Sequence, residues 1–192
     1  MFEQLVQLTV LFFVIFDPLA SFVVFLAATK GMKKPDKTHA ALLAVLVAAS
    51  VSAVVLLLGT NLLTLFNTNL DNFRVAGGIV LALLGIKMAM GQSLANVEKV
   101  KGSAEAIASV IGTPLLTGPA AISAIIISSS DYGMVTTAAA VGIVLVLTLL
   151  LLVMADRAYK AIGKTGVQVM STLLGLITLA WGVGFVLTGL GW

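Results

Sequence analysis

The sequence predicts an all-α membrane protein with six transmembrane helices, arranged as two inverted three-helix repeats in which helices one and four are discontinuous. Of its 192 residues, 60% are hydrophobic and 10% are charged, and the mean hydropathy is +1.15. A soluble core of this length cannot bury so much apolar surface. The apolar runs are long and lack the alternation typical of a lipid-facing β-barrel, so helices are the expected spanning elements.

Segment one runs from Leu5 to Thr29 and carries Asp17-Pro18 at its centre. As a straight helix it would rise roughly 36 Å, more than the ~30 Å hydrocarbon core requires. Proline cannot continue a helix but suits the first position of a new one, and aspartate is a favoured cap just before such a start. We therefore expect a second half-helix to begin at Pro18. A carboxylate at mid-membrane is costly, which makes Asp17 a functional candidate.

The other apolar segments follow in order, separated by short polar connections. Segment two runs from about Ala40 to Phe66, three from Phe73 to Gly91, four from Ala106 to Ser130, five from about Val135 to Met154, and six from Gln168 to about Thr188. The far end of segment two, Gly59 to Thr64, is polar enough to suggest an irregular or interfacial stretch. The longest polar connection predicts a first repeat at 1–91, a cytoplasmic linker at 92–105 and a second repeat at 106–192.

The basic residues are distributed asymmetrically between the connections. Ten of the eleven Lys and Arg residues lie in or beside the loops after segments one, three and five, including 30–37 and 157–164, and Arg74 alone falls on the other side. The positive-inside rule then places these loops in the cytoplasm and both termini outside a multi-pass cell-membrane protein. Because membrane topology explains the basic pI, we expect a lipid bilayer and no nucleic acid as partner.

A second break is predicted in segment four, at Thr113-Pro-Leu-Leu-Thr-Gly-Pro119, where Pro114 follows Pro18 by 96 residues. Each half has three segments, so the halves must be inverted relative to each other. Breaks at equivalent helices of inverted repeats place a substrate near the midplane. The candidate substrate-binding residues are Asp17, Pro18, Ser21, Thr113, Pro114, Thr117, Gly118 and Pro119. Simple proline kinks, with Asp17 acting only as a cap, are the alternative interpretation.

Segments three and six open with small or hydroxyl residues, which allow close helix approach. Matching Arg74-Val-Ala-Gly-Gly with Gln168-Val-Met-Ser-Thr predicts helix packing at Gly77, Gly78, Ser171 and Thr172. The chain has no cysteine, one histidine and no clustered carboxylates. We therefore expect neither a metal site nor a cofactor nor an enzyme activity.

Three stretches together resemble the MarC family of six-helix inner-membrane proteins. They are Asp17-Pro18 in helix one, Phe73 to Gly78 opening helix three, and Thr113 to Pro119 in helix four. The resemblance covers essentially the whole chain. The family's first motif usually reads Asp-Pro-x-Gly-Asn-x-Pro, from which Ala20, Ser21 and Val23 depart.

The resemblance implies a secondary transporter of small neutral amino acids, such as glycine and alanine, that works by alternating access and is coupled to protons or sodium. Discontinuous helices suit a zwitterion, since they offer a donor-rich and an acceptor-rich end. An exporter of amino acids or drugs and a non-transporting membrane scaffold are the alternatives. The sequence leaves open the exact substrate, the direction, homo-oligomer formation, and whether Asp17 is a ligand, a proton site or only a cap.

Overall fold

The computed structural model describes residues 2–65, 67–91 and 103–192, and this part of the chain is helical apart from short turns and breaks. The elements are α1 (Phe2–Phe16), α2 (Pro18–Ala28), α3 (Lys34–Leu65), α4 (Leu70–Ala89), α5 (Ala104–Val110), a π-helical turn (Ile111–Leu116), α6 (Pro119–Tyr132), α7 (Met134–Val153) and α8 (Ala155–Gly189). We call α1 with α2 the first broken helix, and α5, the π-turn and α6 the second broken helix.

Five helical stretches are long and apolar enough to cross a membrane. They are Phe2–Ala28, Lys34–Gly59, Leu70–Ala89, Met134–Val153 and Thr165–Gly189. The predicted class of all-α membrane protein is therefore confirmed. The sixth predicted span, 106–130, is divided between α5, the π-turn and α6, so the count of six stays a prediction.

Several predicted boundaries were wrong because polar residues continue the helices. α3 begins at Lys34, inside the predicted loop 30–37, with Pro35 and Asp36 in its first turn, where proline and acidic residues are favourable. The stretch 59–64 is regular helix rather than irregular. With 32 residues, α3 is roughly 48 Å long and extends beyond the ~30 Å apolar core.

The connection before segment six also differs from the prediction. Arg157 and Lys160 were expected in a loop but lie in α8, whose only non-helical position is Gly163, with φ 69° and ψ 171°. Glycine reaches this backbone conformation without steric cost. Of the predicted linker 92–105, residues 92–102 lie outside the described residues, and Ala104 and Glu105 belong to α5.

The closest helix pair is α4 with α8, which meet along a seam of glycines. A Cβ atom on Gly78 would lie 2.5 Å from the carbonyl oxygen of Gly182, and one on Gly85 would lie 2.6 Å from that of Gly175. As the residue number increases along α4, the residue number of its contact on α8 decreases, so the two helices are antiparallel. Small residues allow such close approach, as in membrane helix pairs generally.

This seam corrects the predicted register between segments three and six. Matching Arg74 with Gln168 sets Gly78 against Thr172, 94 residues apart. In the seam, Gly78 contacts Gly182 and Gly85 contacts Gly175. An exchange of the two halves therefore makes Gly78 equivalent to Gly175 and Gly85 equivalent to Gly182, and the residues of each pair are 97 apart. Ser171 and Thr172 are half-buried on α8, while Gly77 faces α6, where its Cβ would meet that of Ser123 at 2.5 Å.

The two broken helices lie side by side in opposite directions. α1, before the first break, packs against α6, after the second break, and α2 packs against the π-turn. This crosswise pairing brings the two breaks to the same level. α7 packs against both halves of the first broken helix, and α3 packs against all three parts of the second, so the breaks lie inside the bundle.

Candidate functional site

The first break is a single residue, Asp17, whose backbone is in the left-handed region with φ 42° and ψ 67°. Aspartate tolerates this conformation better than most residues. Its Oδ1 accepts a hydrogen bond from the Ala20 N–H at 3.1 Å, and its carbonyl oxygen accepts one from the Ser21 N–H at 3.1 Å. Pro18 is the first residue of α2. Asp17 therefore caps the half-helix, as its position before proline predicts.

The cap occupies only one of the two carboxylate oxygens. Asp17 Oδ2 is buried without a hydrogen-bond partner, and within the described residues the same holds only for Ser21 Oγ and Ser52 Oγ. The three residues are 3%, 0% and 3% exposed. An unsatisfied buried polar group costs about 1–3 kcal/mol, and native structures hold few of them. These three atoms are therefore candidates for contact with a polar ligand.

The second break is longer, and its threonine hydroxyls make hydrogen bonds to groups within the break itself. Thr113 is extended, with φ −147° and ψ 122°. The Thr117 N–H and hydroxyl both donate to the Gly112 carbonyl oxygen, at 3.2 Å and 2.7 Å, and the Thr117 hydroxyl lies 3.2 Å from that of Thr113. Pro114 lies within this π-turn. The threonines therefore stabilise the turn itself.

After the second break, α6 starts with a bare helix end. Gly118 is the N-cap, with φ −74° and ψ 178°, Pro119 is the first helical residue, and no side chain caps this end. The first N–H groups of a helix lack intrahelical acceptors and carry partial positive charge. The site thus combines a free carboxylate oxygen at the first break with a donor-rich helix end at the second.

Ser52 lies on α3, outside both broken helices, and is not among the site residues that the sequence predicts. A Cβ on Gly112 would meet the Cβ of Val47 at 2.7 Å, and one on Gly59 would meet Cγ1 of Ile126 at 2.6 Å. These contacts set α3 parallel to the second broken helix, so Ser52 falls at the level of the break. A serine in an apolar helix is common, and only its spacing of 96 residues from Thr148 was available as a signal.

A cavity of about 300 Å³ opens near the end of α2. Its lining includes Phe25, together with Lys34, Lys37, Asp156 and Arg157. Phe25 follows Asp17 by eight residues, which is roughly 12 Å along the helix. The cavity therefore lies on the basic side of the molecule, beyond the buried polar groups.

A family model described as MarC family integral membrane protein matches residues 2–191. The chain belongs to the MarC family. It is 29% identical over 187 residues to a UPF0056 membrane protein of Methanocaldococcus jannaschii, which covers 93% of this chain and 91% of that protein. It is 28% identical over 188 residues to the UPF0056 membrane protein YhcE of Escherichia coli, covering 93% and 87%.

A third relative, a UPF0056 membrane protein of Pyrococcus horikoshii, is 32% identical over 127 residues, or 66% of this chain and 63% of its own. These MarC relatives are described as membrane proteins, in agreement with the apolar helices seen here. No solved structure matches the chain.

Ion pairs join helices at both ends of this MarC protein. At one end Arg74 binds Asp71 at 2.9 Å and also binds Asp131, beside the end of α6. At the other end Lys37 binds Asp156 at 3.0 Å. Exposed pairs contribute little stability, but these contacts give the guanidinium of Arg74 two carboxylate partners.

Proposed function

We propose that this protein is a secondary transporter of small neutral amino acids, working by alternating access. The proposal is carried by one observation: the unpartnered Oδ2 atom of Asp17 is buried at the level of the uncapped start of α6. An acceptor and a donor-rich helix end are thereby set at one depth in the bundle. An amino-acid zwitterion needs both.

In this proposal the substrate's ammonium group binds Asp17 Oδ2 and its carboxylate binds the first N–H groups of α6, next to Gly118. Charge-assisted hydrogen bonds of both kinds are strong when water is excluded. Ala20 and Ala120 flank the breaks, and their small side chains leave room for a compact ligand. This favours glycine and alanine over larger amino acids.

Alternating access is commonly built on two related halves, and the helix contacts support an inverted repeat. The first broken helix packs against α7, and the second packs against α3, its counterpart in the other half. Likewise α6 packs against α4, and α2 against α8. When 1–91 and 106–192 are exchanged, each of these helix pairs becomes the other pair named with it. Rocking of one half against the other would open the midplane site to either side.

The cavity lined by Phe25 lies on the basic side, which the positive-inside rule assigns to the cytoplasm, with both termini outside. In this proposal the substrate passes the cavity when the site is open to that side. Coupling to protons or sodium would act through Asp17, since it is the one carboxylate at the breaks. Burial favours the neutral acid, whereas capping N–H groups and a bound cation favour the carboxylate. Substrate binding and proton occupancy are then linked.

Export of amino acids or drugs uses the same site with the opposite net direction. A membrane scaffold accounts for the glycine seam but gives no reason to keep three polar atoms buried and unpaired, each at a cost of about 1–3 kcal/mol. The site geometry therefore favours transport over a structural role.

The experiment is uptake of radiolabelled amino acids into proteoliposomes that contain the purified protein. We expect saturable uptake of glycine and alanine, little of leucine or lysine, and accumulation when a pH or a sodium gradient is imposed separately. Lysine tests whether net charge is tolerated, and leucine tests size. Absence of both transport and binding of glycine and alanine would overturn the proposal.

A further inference from the structure

We infer that the ligands for the substrate's ammonium group come from the first half of the chain alone, and that Ser52 of α3 completes them together with Asp17 and Ser21. The inference rests on the proposed function and extends it to a substrate class, primary α-amines. Ser52 lies in neither broken helix, and it is not among the site residues that the sequence predicts. It becomes a specificity-determining residue.

Polar residues occur at equivalent positions of the two halves. Pro18 and Pro114 are 96 residues apart, and the same spacing relates three pairs of polar residues. The pairs are Asp17 with Thr113, Ser21 with Thr117, and Ser52 with Thr148. A polar residue at each of three equivalent positions, in otherwise apolar helices, is a pattern that extends from the broken helices to α3 and α7.

The two sets differ in whether their side chains are already hydrogen-bonded. In the first half, Asp17 Oδ2, Ser21 Oγ and Ser52 Oγ all lack partners. In the second half the hydroxyls are occupied: that of Thr148 donates to the Val144 carbonyl oxygen at 2.7 Å, and that of Thr117 to Gly112 at 2.7 Å. The second set is therefore satisfied without a ligand, and only the first set needs one to complete its hydrogen bonds.

The donors of a primary ammonium equal the unpaired acceptors of the first half in number. A primary ammonium carries three N–H donors, and the first half offers three unpaired oxygens. Each serine oxygen has two acceptor lone pairs and can therefore accept an N–H from the ligand. The set therefore matches a primary ammonium, whereas each N-methyl group removes one donor and adds bulk.

Ser52 lies on the face of α3 that packs against the second broken helix, at the level of the break. Ala44 and Gly59, which contact the second broken helix, precede and follow Ser52 by eight and seven residues. These spacings place all three on one face of the helix, and Ser52 is 3% exposed. Ser50, two residues away, is exposed and has its hydroxyl bonded, so it provides a matched control.

The test measures glycine binding and uptake by the full chain with Ser52→Ala, Ser50→Ala and Thr148→Val. We expect Ser52→Ala to raise the Kd and KM for glycine about tenfold, the effect of one lost hydrogen bond to a charged group, and the two controls to change them less than twofold. Because its hydroxyl has no partner without ligand, Ser52→Ala should not lower the ligand-free Tm, whereas Thr148→Val should.

A second readout is selectivity between glycine and its N-methylated analogues. The wild type should discriminate increasingly against sarcosine, dimethylglycine and betaine, and Ser52→Ala should narrow the ratio of sarcosine to glycine affinity. Wild-type glycine affinity and selectivity in Ser52→Ala, or an equal loss in Thr148→Val, would overturn the inference while leaving the transport proposal intact. Failure of the wild type to bind any of these compounds would overturn both.

Discussion

Gly78 and Gly182 touch with no side chain between them: a Cβ on Gly78 would lie 2.5 Å from the carbonyl oxygen of Gly182, and one on Gly182 would lie 2.7 Å from that of Gly78. Each glycine thus faces the backbone of the other helix. Backbone cannot turn aside as a flexible side chain can. The separation of α4 and α8 is therefore set by the absence of side chains at these positions.

The first prediction concerns this seam. Gly182→Ala should lower the Tm of the detergent-solubilised protein, because its Cβ would come within 2.5 Å of the Ala82 nitrogen, and such overpacking costs about 1–3 kcal/mol. Gly184→Ala is the control, since it lies on the same helix with no atom within 4 Å of its Cβ position. Equal Tm values for the two variants would show that the seam is looser than described.

The second prediction tests the register of α3 against α6. Gly59→Ala should be destabilising, because the new Cβ would lie 2.6 Å from Cγ1 and 3.3 Å from Cδ1 of Ile126. In an Ile126→Ala background both atoms are gone and the nearest remaining one, Cβ, lies at 3.6 Å. The cost of Gly59→Ala should then largely disappear. Additive costs in this double-mutant cycle would contradict the register on which the placement of Ser52 depends.

The third prediction separates the two roles of Asp17. Asparagine retains both the cap on the Ala20 N–H and the tolerance of a left-handed backbone, so Asp17→Asn should fold with a Tm close to that of the wild type. Because this variant has lost the charge, it should no longer accumulate glycine when a pH gradient is imposed. Asp17→Ala loses the cap as well, at a cost of roughly 1 kcal/mol.

The measurement for Asp17 is gradient-driven glycine uptake beside the Tm of each variant. If Asp17→Asn accumulates glycine at the wild-type rate, Asp17 is a cap only and any coupling lies elsewhere.

The fourth prediction concerns Thr117, whose hydroxyl donates to the Gly112 carbonyl oxygen within the π-turn. Thr117→Val leaves that buried acceptor with one partner fewer. The free energy of unfolding should fall by about 1 kcal/mol, and the Tm should fall with it. Thr117→Ser keeps the hydroxyl and should be close to the wild type. A drop in glycine affinity in Thr117→Val that exceeds its effect on stability would assign the hydroxyl to the substrate instead of the turn.

The sequence alone was sufficient for features that depend on neighbouring residues. Hydropathy predicted the helical membrane class, because the bilayer excludes unpaired backbone. Asp17-Pro18 predicted where α2 starts, and Thr113 to Pro119 predicted where segment four is interrupted, because proline and its preceding residue restrict the backbone locally. Helix ends were less well predicted, since residues 34–37 and 157–160 continue helices that polarity assigned to loops.

Only the tertiary structure decided which residues meet. The seam through Gly175 and Gly182, three residues out of register with the sequence match, follows from how two helices nearly a hundred residues apart fit together. It also decided that the Thr117 hydroxyl is occupied while those of Ser21 and Ser52 are free. A side chain carries its capacity for hydrogen bonds in the sequence, but whether that capacity is used depends on the groups that packing brings within reach.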